Sequence, residues 1–257
     1  MHKKAAMLED RGVVQVGGDD ASSFLQGLLT NDVERLPPGE ASYAALLSPQ
    51  GKILFDMLVV RAPPETGAAF LLDCAAAQAA DLTRRLGFYK LRARVSIVDE
   101  SGDRRVVANW GAEPENAPDA LFYADPRDPR IGWRAILPSA LGVAVGQEHI
   151  ATYEALRIGA GVPRGGVDFA KGCYVGQEVV SRMKHRGAAR KRVERLKLLG
   201  EPPPPGTPVL DGELPVGTLG SSSGREALAM LRLDRVEDAN AAGRALSAGG
   251  VSLRLAD

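Results

Sequence analysis

The sequence predicts a mixed α+β fold that gives way, near its end, to a small all-β unit. Three observations carry this. Apolar, β-branched runs punctuated by glycine and proline recur through the first two thirds; amphipathic helices interrupt them without regular βαβ alternation; and after Arg192 short β-like runs follow one another with glycine turns between them. The chain has 257 residues, 45% hydrophobic and 25% charged, enough for one or two domains with buried cores, which excludes a disulfide miniature and wholesale disorder.

The elements follow in order. Gly12 to Gly17 is short, β-branched and closed by glycines, so it reads as a strand. Asp19 or Asp20 then caps a helix whose Phe24, Leu25, Leu28 and Leu29 fall on one face, and Thr30-Asn31-Asp32 ends it. Ala44 to Leu47 and Ile53 to Val60 flank Ser48-Pro49-Gln50-Gly51-Lys52, whose proline and glycine supply the turn dihedrals of a hairpin. Further strands are expected at Phe70 to Asp73, Arg94 to Val98, Arg105 to Trp110 and Trp133 to Leu137, with helices from Ala75 to Leu86, ending at Gly87, and from His149 to Ile158. Beyond the proline run at 202–205, strand-like segments at Thr207 to Leu210, Leu214 to Leu219, Ala227 to Leu233 and Val251 to Leu255 predict a small barrel or sandwich. The domain division this suggests is 1–195 and 196–257.

Charge and cysteine usage narrow the function classes. Lys and Arg number 32 and so do Asp and Glu, so no global basic field recruits nucleic acid or membrane, and any anion site is local. The two cysteines, Cys74 and Cys173, lie far apart and form neither a zinc knuckle nor a disulfide framework. Cys74 reads as structural. No segment approaches the roughly 18 apolar residues of a membrane span, and with no apolar leader before Glu9 and Asp10 the expectation is a cytoplasmic protein. His2, His149 and His185 lack metal-ligand spacing, and there is no P-loop, GxSxG or GxGxxG after a strand.

Chemistry concentrates in Lys171-Gly172-Cys173-Tyr174-Val175-Gly176-Gln177-Glu178, which continues to Arg182 and Met183. Wound as a helix at about 100° per residue, it puts Val175, Val179, Val180 and Met183 on a packing side and Tyr174, Gln177, Glu178, Ser181 and Arg182 on a polar side. Cys173 sits at the boundary, where the free N–H groups of a helix start and Lys171 would favour a thiolate or a bound anion; an inert buried thiol is the equal alternative. The basic residues from Lys184 to Arg195 grip a polyanion or form ordinary ion pairs such as Glu178 with Arg182; no aromatic residues interleave them, which counts against a single-stranded nucleic-acid platform. Asp56, a carboxylate inside an apolar strand, needs a partner or a function.

The run from Lys171 to Glu178, with Arg182 and Arg186-Gly187, resembles the signature of the YgfZ family, relatives of the glycine-cleavage T-protein. Phe24-Leu25-Gln26-Gly27, Thr30-Asn31-Asp32, the Ser48 to Asp56 hairpin, Asp125-Pro126-Arg127, Gly132-Trp133-Arg134 and Gly161-Val162-Pro163 look like further landmarks, so the likeness spans nearly the whole chain. It implies a T-protein-like ring of three subdomains around a central channel that holds tetrahydrofolate, the last being a small C-terminal β-barrel. It implies a folate-binding factor for assembly or repair of iron–sulfur proteins, reaching tRNA modification through such enzymes. Carried over are Cys173 as the reactive residue and Lys171, Tyr174, Gln177, Glu178 and Arg182 as the folate-side motif, with Asp56 as a further contact; no metal is expected to reside on the protein. The implied partners are folate and iron–sulfur client or assembly proteins, not a membrane, and neutral overall charge counts against direct tRNA binding.

Two departures from the resemblance bear on chemistry. Relatives carry a Pro-x-Glu element where Gly165-Gly166 here runs straight into Val167-Asp168-Phe169; either the loop is lost or it is missing from the chain as written, and the close match of both flanks favours the second. The T-protein hairpin carries paired aspartates where this one has Phe55-Asp56. If Phe55 matches the acting carboxylate, aminomethyl transfer is lost and folate serves as cofactor or regulator. If Asp56 does, a folate-dependent methyl or aminomethyl transferase is the alternative.

Overall fold

The structure is a computed structural model that describes residues 4–64, 68–111, 119–141, 148–162 and 191–256. The chain divides into two compact units, Met1–Ile150 with Arg164–Arg182, and Ala151–Pro163 with Met183–Asp257. The motif from Lys171 to Arg182, including Cys173, Tyr174, Gln177 and Glu178, lies outside the described residues, as does the join of Gly166 to Val167.

In the first unit, strands β1 (Lys4–Met7), β2 (Arg11–Gly17), β3 (Ala41–Leu47), β4 (Ile53–Arg61), β5 (Phe70–Ala75), β6 (Ser96–Asp99), β7 (Arg104–Trp110), β8 (Leu121–Ala124) and β9 (Trp133–Pro138) build two antiparallel sheets. One has five strands in the order β3-β4-β5-β2-β6, the other four in the order β1-β7-β9-β8. The expected hairpin is present: Ser48 N–H donates to the Lys52 carbonyl at 2.8 Å, Gly51 takes φ +74°, and Ala45 faces Asp56 across the ladder. Helices α1 (Ala21–Leu28) and α2 (Ala79–Lys90) pack on one face of the five-stranded sheet. There Leu25, Leu28, Leu82 and Leu86 meet Val14, Val16, Leu46, Met57, Val59, Phe70, Leu72 and Cys74 in one core.

Strand alternation assigns the opposite face of that sheet to Tyr43, Ala45, Asp56, Leu58, Leu71 and Asp73. Side-chain bonds from Tyr123 of β8 and Arg134 of β9 to Asp73 turn this face toward the four-stranded sheet. The unit is therefore layered, helices on sheet on sheet, and polar residues of both sheets meet in the inner seam.

Local differences from the sequence expectation have physical causes. The helix from Ala75 to Leu86 instead starts at Ala79, because β5 runs on to Ala75 and a 3-10 turn at Ala76–Gln78 intervenes. It also passes through Gly87, whose missing Cβ would meet nothing within 4 Å, so the glycine costs helix propensity alone while Leu82 and Leu86 hold the turn down. The side chains of Gln26 and Thr30, read as family landmarks, hold main-chain donors: Gln26 Oε1 accepts from Val33 N–H at 2.9 Å and the Thr30 hydroxyl from Ala45 N–H at 2.8 Å.

The helix expected from His149 is α3 (Glu148–Gly159). Strands β10 (Lys191–Leu198), β11 (Pro208–Asp211), β12 (Leu214–Ser223), β13 (Glu226–Arg232), β14 (Leu246–Ala248) and β15 (Val251–Leu255) close a barrel in the order β10-β13-β12-β11-β14-β15. Its core is Leu196, Leu198, Val209, Val216, Leu219, Leu231 and Leu253, joined by Val236 and Ala239 of helix α4 (Leu233–Ala241). Gly217 allows the closest strand approach, since a Cβ there would lie 2.4 Å from the Met230 carbonyl oxygen. No helix among the described residues is long and apolar enough to cross a membrane.

Gly132 fixes the turn that brings β8 to β9. Its φ is +84°, and a Cβ would lie 2.3 Å from the Asn109 carbonyl oxygen. Gly132→Ala combines backbone strain with a clash against fixed main chain, so urea unfolding is expected to show a loss of about 2–4 kcal/mol.

Candidate functional site

Of the residues that sequence reading selects, Asp56 is the one the described structure places, and its surroundings define the candidate site. Asp56 is half-buried on β4, and its Oδ2 accepts from the Tyr43 hydroxyl at 2.7 Å. The Tyr43 ring lies beneath the Arg127 guanidinium, with Cζ 5.4 Å from the ring centroid. Arg127 grips Asp125 with two bonds, Nε to Oδ1 at 2.8 Å and Nη2 to Oδ2 at 2.6 Å. Asp125 also accepts from Arg134 Nε at 3.1 Å, and Arg134 Nη1 donates to Asp73 Oδ2 at 2.5 Å.

Asp73 is the inner end of this chain. Arg11 Nε donates to its Oδ1 at 2.6 Å and Arg11 Nη2 to its main-chain carbonyl at 2.6 Å, while the Tyr123 hydroxyl donates to Oδ2 at 3.0 Å. Both Asp73 oxygens are thus occupied in a site with no solvent access. Burial by itself would raise the Asp73 carboxyl; the guanidiniums of Arg11 and Arg134 outweigh it and hold the group at about 2. Burial likewise opposes ionisation of Asp125, and Arg127 and Arg134 pull it below the usual carboxylate range. Burial beside Asp73 pushes the Tyr123 phenol well up, so it acts as an O–H donor.

Among the described residues the network sets three carboxylates, Asp56, Asp73 and Asp125, against three guanidiniums, Arg11, Arg127 and Arg134. At the outer end Asp56 keeps one oxygen available: Oδ1 accepts no bond from the described residues, and the side chain is partly exposed. Phe55, the neighbour that stands where paired aspartates would put a second carboxylate, points the other way and packs against the helix-side core. Of the pair Phe55-Asp56, one carboxylate therefore faces the seam.

Sequence reading singled out Asp56 but missed Tyr43, Asp73, Tyr123, Asp125, Arg134 and Arg11 as one cluster. Asp73 carried the same signal as Asp56, an acid within an apolar strand, and Asp125, Arg127 and Arg134 sat in stretches noted as landmarks without a role. Cys74 is buried on the helix side, and burial pushes its thiol up to about 12, as expected of a structural cysteine. Of the basic stretch, Arg195 lies in β10 and donates to the Gly159 carbonyl at 2.8 Å within the second unit.

Comparison with known proteins agrees with this architecture. Residues 6–138 match the GCVT N-terminal domain and residues 190–257 match the C-terminal β-barrel domain of CAF17. The chain is 36% identical over 238 residues to the mitochondrial iron–sulfur cluster assembly factor IBA57 homolog of Mycosarcoma maydis, covering 78% of this chain and 59% of that protein. It is 30% identical over 280 residues to mitochondrial IBA57 of Mus musculus, covering 90% and 78%, and 29% identical over 277 residues to that of Homo sapiens, with the same coverage. The chain thus spans a little over half the length of the fungal relatives. The crystal structure of glycine cleavage system aminomethyltransferase T from Bartonella henselae superposes with a TM-score of 0.77 at 17% identity, covering all of this chain and 85% of that one, so the fold is shared. The cytoplasmic expectation is overturned by the relatives, which are named mitochondrial. Unpaired cysteines and the lack of an apolar run, on which the expectation rested, do not separate one reducing compartment from another.

Asp73→Asn strips Arg11 and Arg134 of their shared counter-ion inside a dry seam. The expected loss is about 3–5 kcal/mol in urea unfolding. The wild-type carboxyl is ionised down to about 2 against an ordinary value of 3.8. Its contribution, about 2 kcal/mol, is therefore complete above pH 4 or so and lost as pH falls toward 2. Acid unfolding followed by circular dichroism should show that loss in the wild type and not in Asp73→Asn.

Proposed function

Because the chain belongs to the CAF17/IBA57 family, which joins a GCVT-type N-terminal part to a C-terminal β-barrel, we propose that it is a folate-binding factor supporting the assembly or repair of iron–sulfur proteins. The names of its relatives support the iron–sulfur half of this reading. The signature from Lys171 to Glu178 supports a tie to the YgfZ branch and, through it, the folate half; tRNA modification is reached through client enzymes.

Asp56 is the observation that carries folate binding. A pterin edge presents adjacent N–H donors, and a partly exposed carboxylate with one oxygen fixed by Tyr43 and the other available is a matching acceptor. When bound, tetrahydrofolate supplies reduced nitrogens able to carry a one-carbon unit. The chain's own part is to hold it: Asp56 accepts from the pterin, Tyr43 fixes the carboxylate rotamer, and Arg127 over the Tyr43 ring fixes the tyrosine. Lys171 and Arg182 draw the anionic glutamate tail, Tyr174, Gln177 and Glu178 complete the motif, and Cys173 is the thiol offered to the client pathway. A lone cysteine cannot hold a cluster by itself, since clusters commonly take about four cysteine ligands, so any cluster is shared or transient.

The second reading, a folate-dependent methyl or aminomethyl transferase, draws on the fold shared with an aminomethyltransferase and on Asp56 as the acid or base. With Phe55 turned to the opposite face, only one carboxylate is offered where the T-protein hairpin has a pair, which favours the first reading.

Calorimetric titration with tetrahydrofolate is expected to show saturable binding, weakened about 10- to 100-fold by Asp56→Ala, the range for losing a charged hydrogen-bond acceptor, and weakened also by Lys171→Ala. Unchanged affinity in Asp56→Ala removes Asp56 from the site, and no binding by the folded wild type removes folate. In cells lacking the protein, Cys173→Ser is expected to bind folate yet fail to restore the activity of an iron–sulfur enzyme; full rescue overturns the thiol's role. Turnover with an N-methyl or aminomethyl donor would establish the transferase instead.

A further inference from the structure

The first unit has a second concavity, on the helix side of the five-stranded sheet and therefore behind the Asp56 face. It is a cavity of about 470 Å³ between β4 and α2, walled by Leu54, Phe55 and Phe88, with Gln78, Arg84 and Arg85 among its polar lining. Arg84 is committed to Asp81, to which its Nη2 donates at 2.5 Å. Arg85 is not so engaged: its guanidinium lies 5.6 Å from the centroid of the Tyr89 ring, and its Nε is shut off from solvent with no acceptor among the described residues.

The rim of this cavity is apolar and exposed. Phe88 is 66% exposed and Leu91, close by past the end of α2, is 89% exposed. Leu91 also takes φ 40° and ψ −105°, a positive-φ backbone that a residue with a Cβ rarely adopts. The fold thus holds a leucine in a strained backbone and turns its side chain to water, which gains nothing within this unit. Net charge here is positive: Asp81, the acid in the lining, is taken by Arg84, while Arg85 and, in the next turn, Lys90 and Arg92 are left over. Exposed aromatic and aliphatic groups beside an arginine that lacks an acceptor are the composition of an interface hot spot.

We propose that this groove docks an acidic, apolar segment of a partner protein, one large apolar side chain entering between Phe55 and Phe88 and one carboxylate meeting Arg85. The exposed surface continues past the cavity to Leu91, farther than a small ligand enclosed by a pocket would use, and the local cationic charge selects an acidic partner. This docking is independent of folate binding, which uses the opposite face of the sheet.

The test uses the full chain with a photo-reactive benzoylphenylalanine at Gln78, expressed in cells that depend on the protein, and identifies the joined peptides by mass spectrometry. The expected result is a single partner joined through a segment that contains Asp or Glu beside a large apolar residue. Arg85→Glu should cut the adduct at least tenfold, and reversing the partner's acid to lysine should restore it. Phe88→Ser, at an exposed position where the fold has little at stake, should cut the adduct similarly with an unchanged thermal melt. No adduct, an adduct with RNA or with a second copy of this chain, or an adduct indifferent to both Arg85→Glu and Phe88→Ser overturns the proposal.

Discussion

The first unit depends on a charge placed where water cannot reach it. Asp73 sits at the centre of the seam between two sheets, and its carboxylate is tolerable there because Arg11, Arg134 and Tyr123 occupy its oxygens from different strands. The arrangement works in both directions: each arginine is also a buried cation that needs an anion, and Arg134 divides itself between Asp73 and Asp125. Sheets joined by apolar contact alone tolerate a shift of register at moderate cost. Sheets joined through this set of ions do not, since a displaced partner leaves an uncompensated charge behind. The position of Arg127, and through it of Tyr43 and Asp56, is set by the same bonds.

One sheet therefore serves two environments. Alternation along β4 sends Asp56 into the polar seam and Phe55 into the helix-side core, so neighbouring residues of one strand belong to separate surfaces. A ligand that approaches the seam meets a carboxylate on a strand, backed by ion pairs. A partner that approaches from the helix side meets rings and guanidiniums.

Much of this was legible in the sequence, for reasons that differ by element. The β3–β4 hairpin was readable because proline and glycine at its turn leave the backbone few options, and the barrel because glycine turns recur between short β-branched runs. The short strands β1 and β8 and helix α4 were not, because their stability comes from partners distant in sequence: β1 forms only by pairing with β7, about a hundred residues on, as with Lys4 opposite Trp110. Asp56 was readable as an acid out of place. Its network was not, since Arg11, Tyr43, Asp73, Asp125 and Arg134 come from separate strands and turns, and no periodicity ties them together. The cytoplasmic expectation failed because unpaired thiols and the lack of an apolar run do not distinguish one reducing compartment from another.

The barrel in the second unit has no open edge, yet its ladders are unequal in length. Strand β10 meets β13 over Lys191 to Lys197 but meets β15 only over Leu196, Lys197 and Leu198. Both ladders of β15, to β10 and to β14, span three pairs, as does that of β14 to β11, so fluctuations should open the cylinder on this side first and momentarily turn the barrel into an open sheet. Amide protons along that seam then exchange with solvent faster than those between β10 and β13. In the moment of opening, β10 and β15 expose backbone donors and acceptors that can pair with another chain, a route to strand exchange that the closed form conceals.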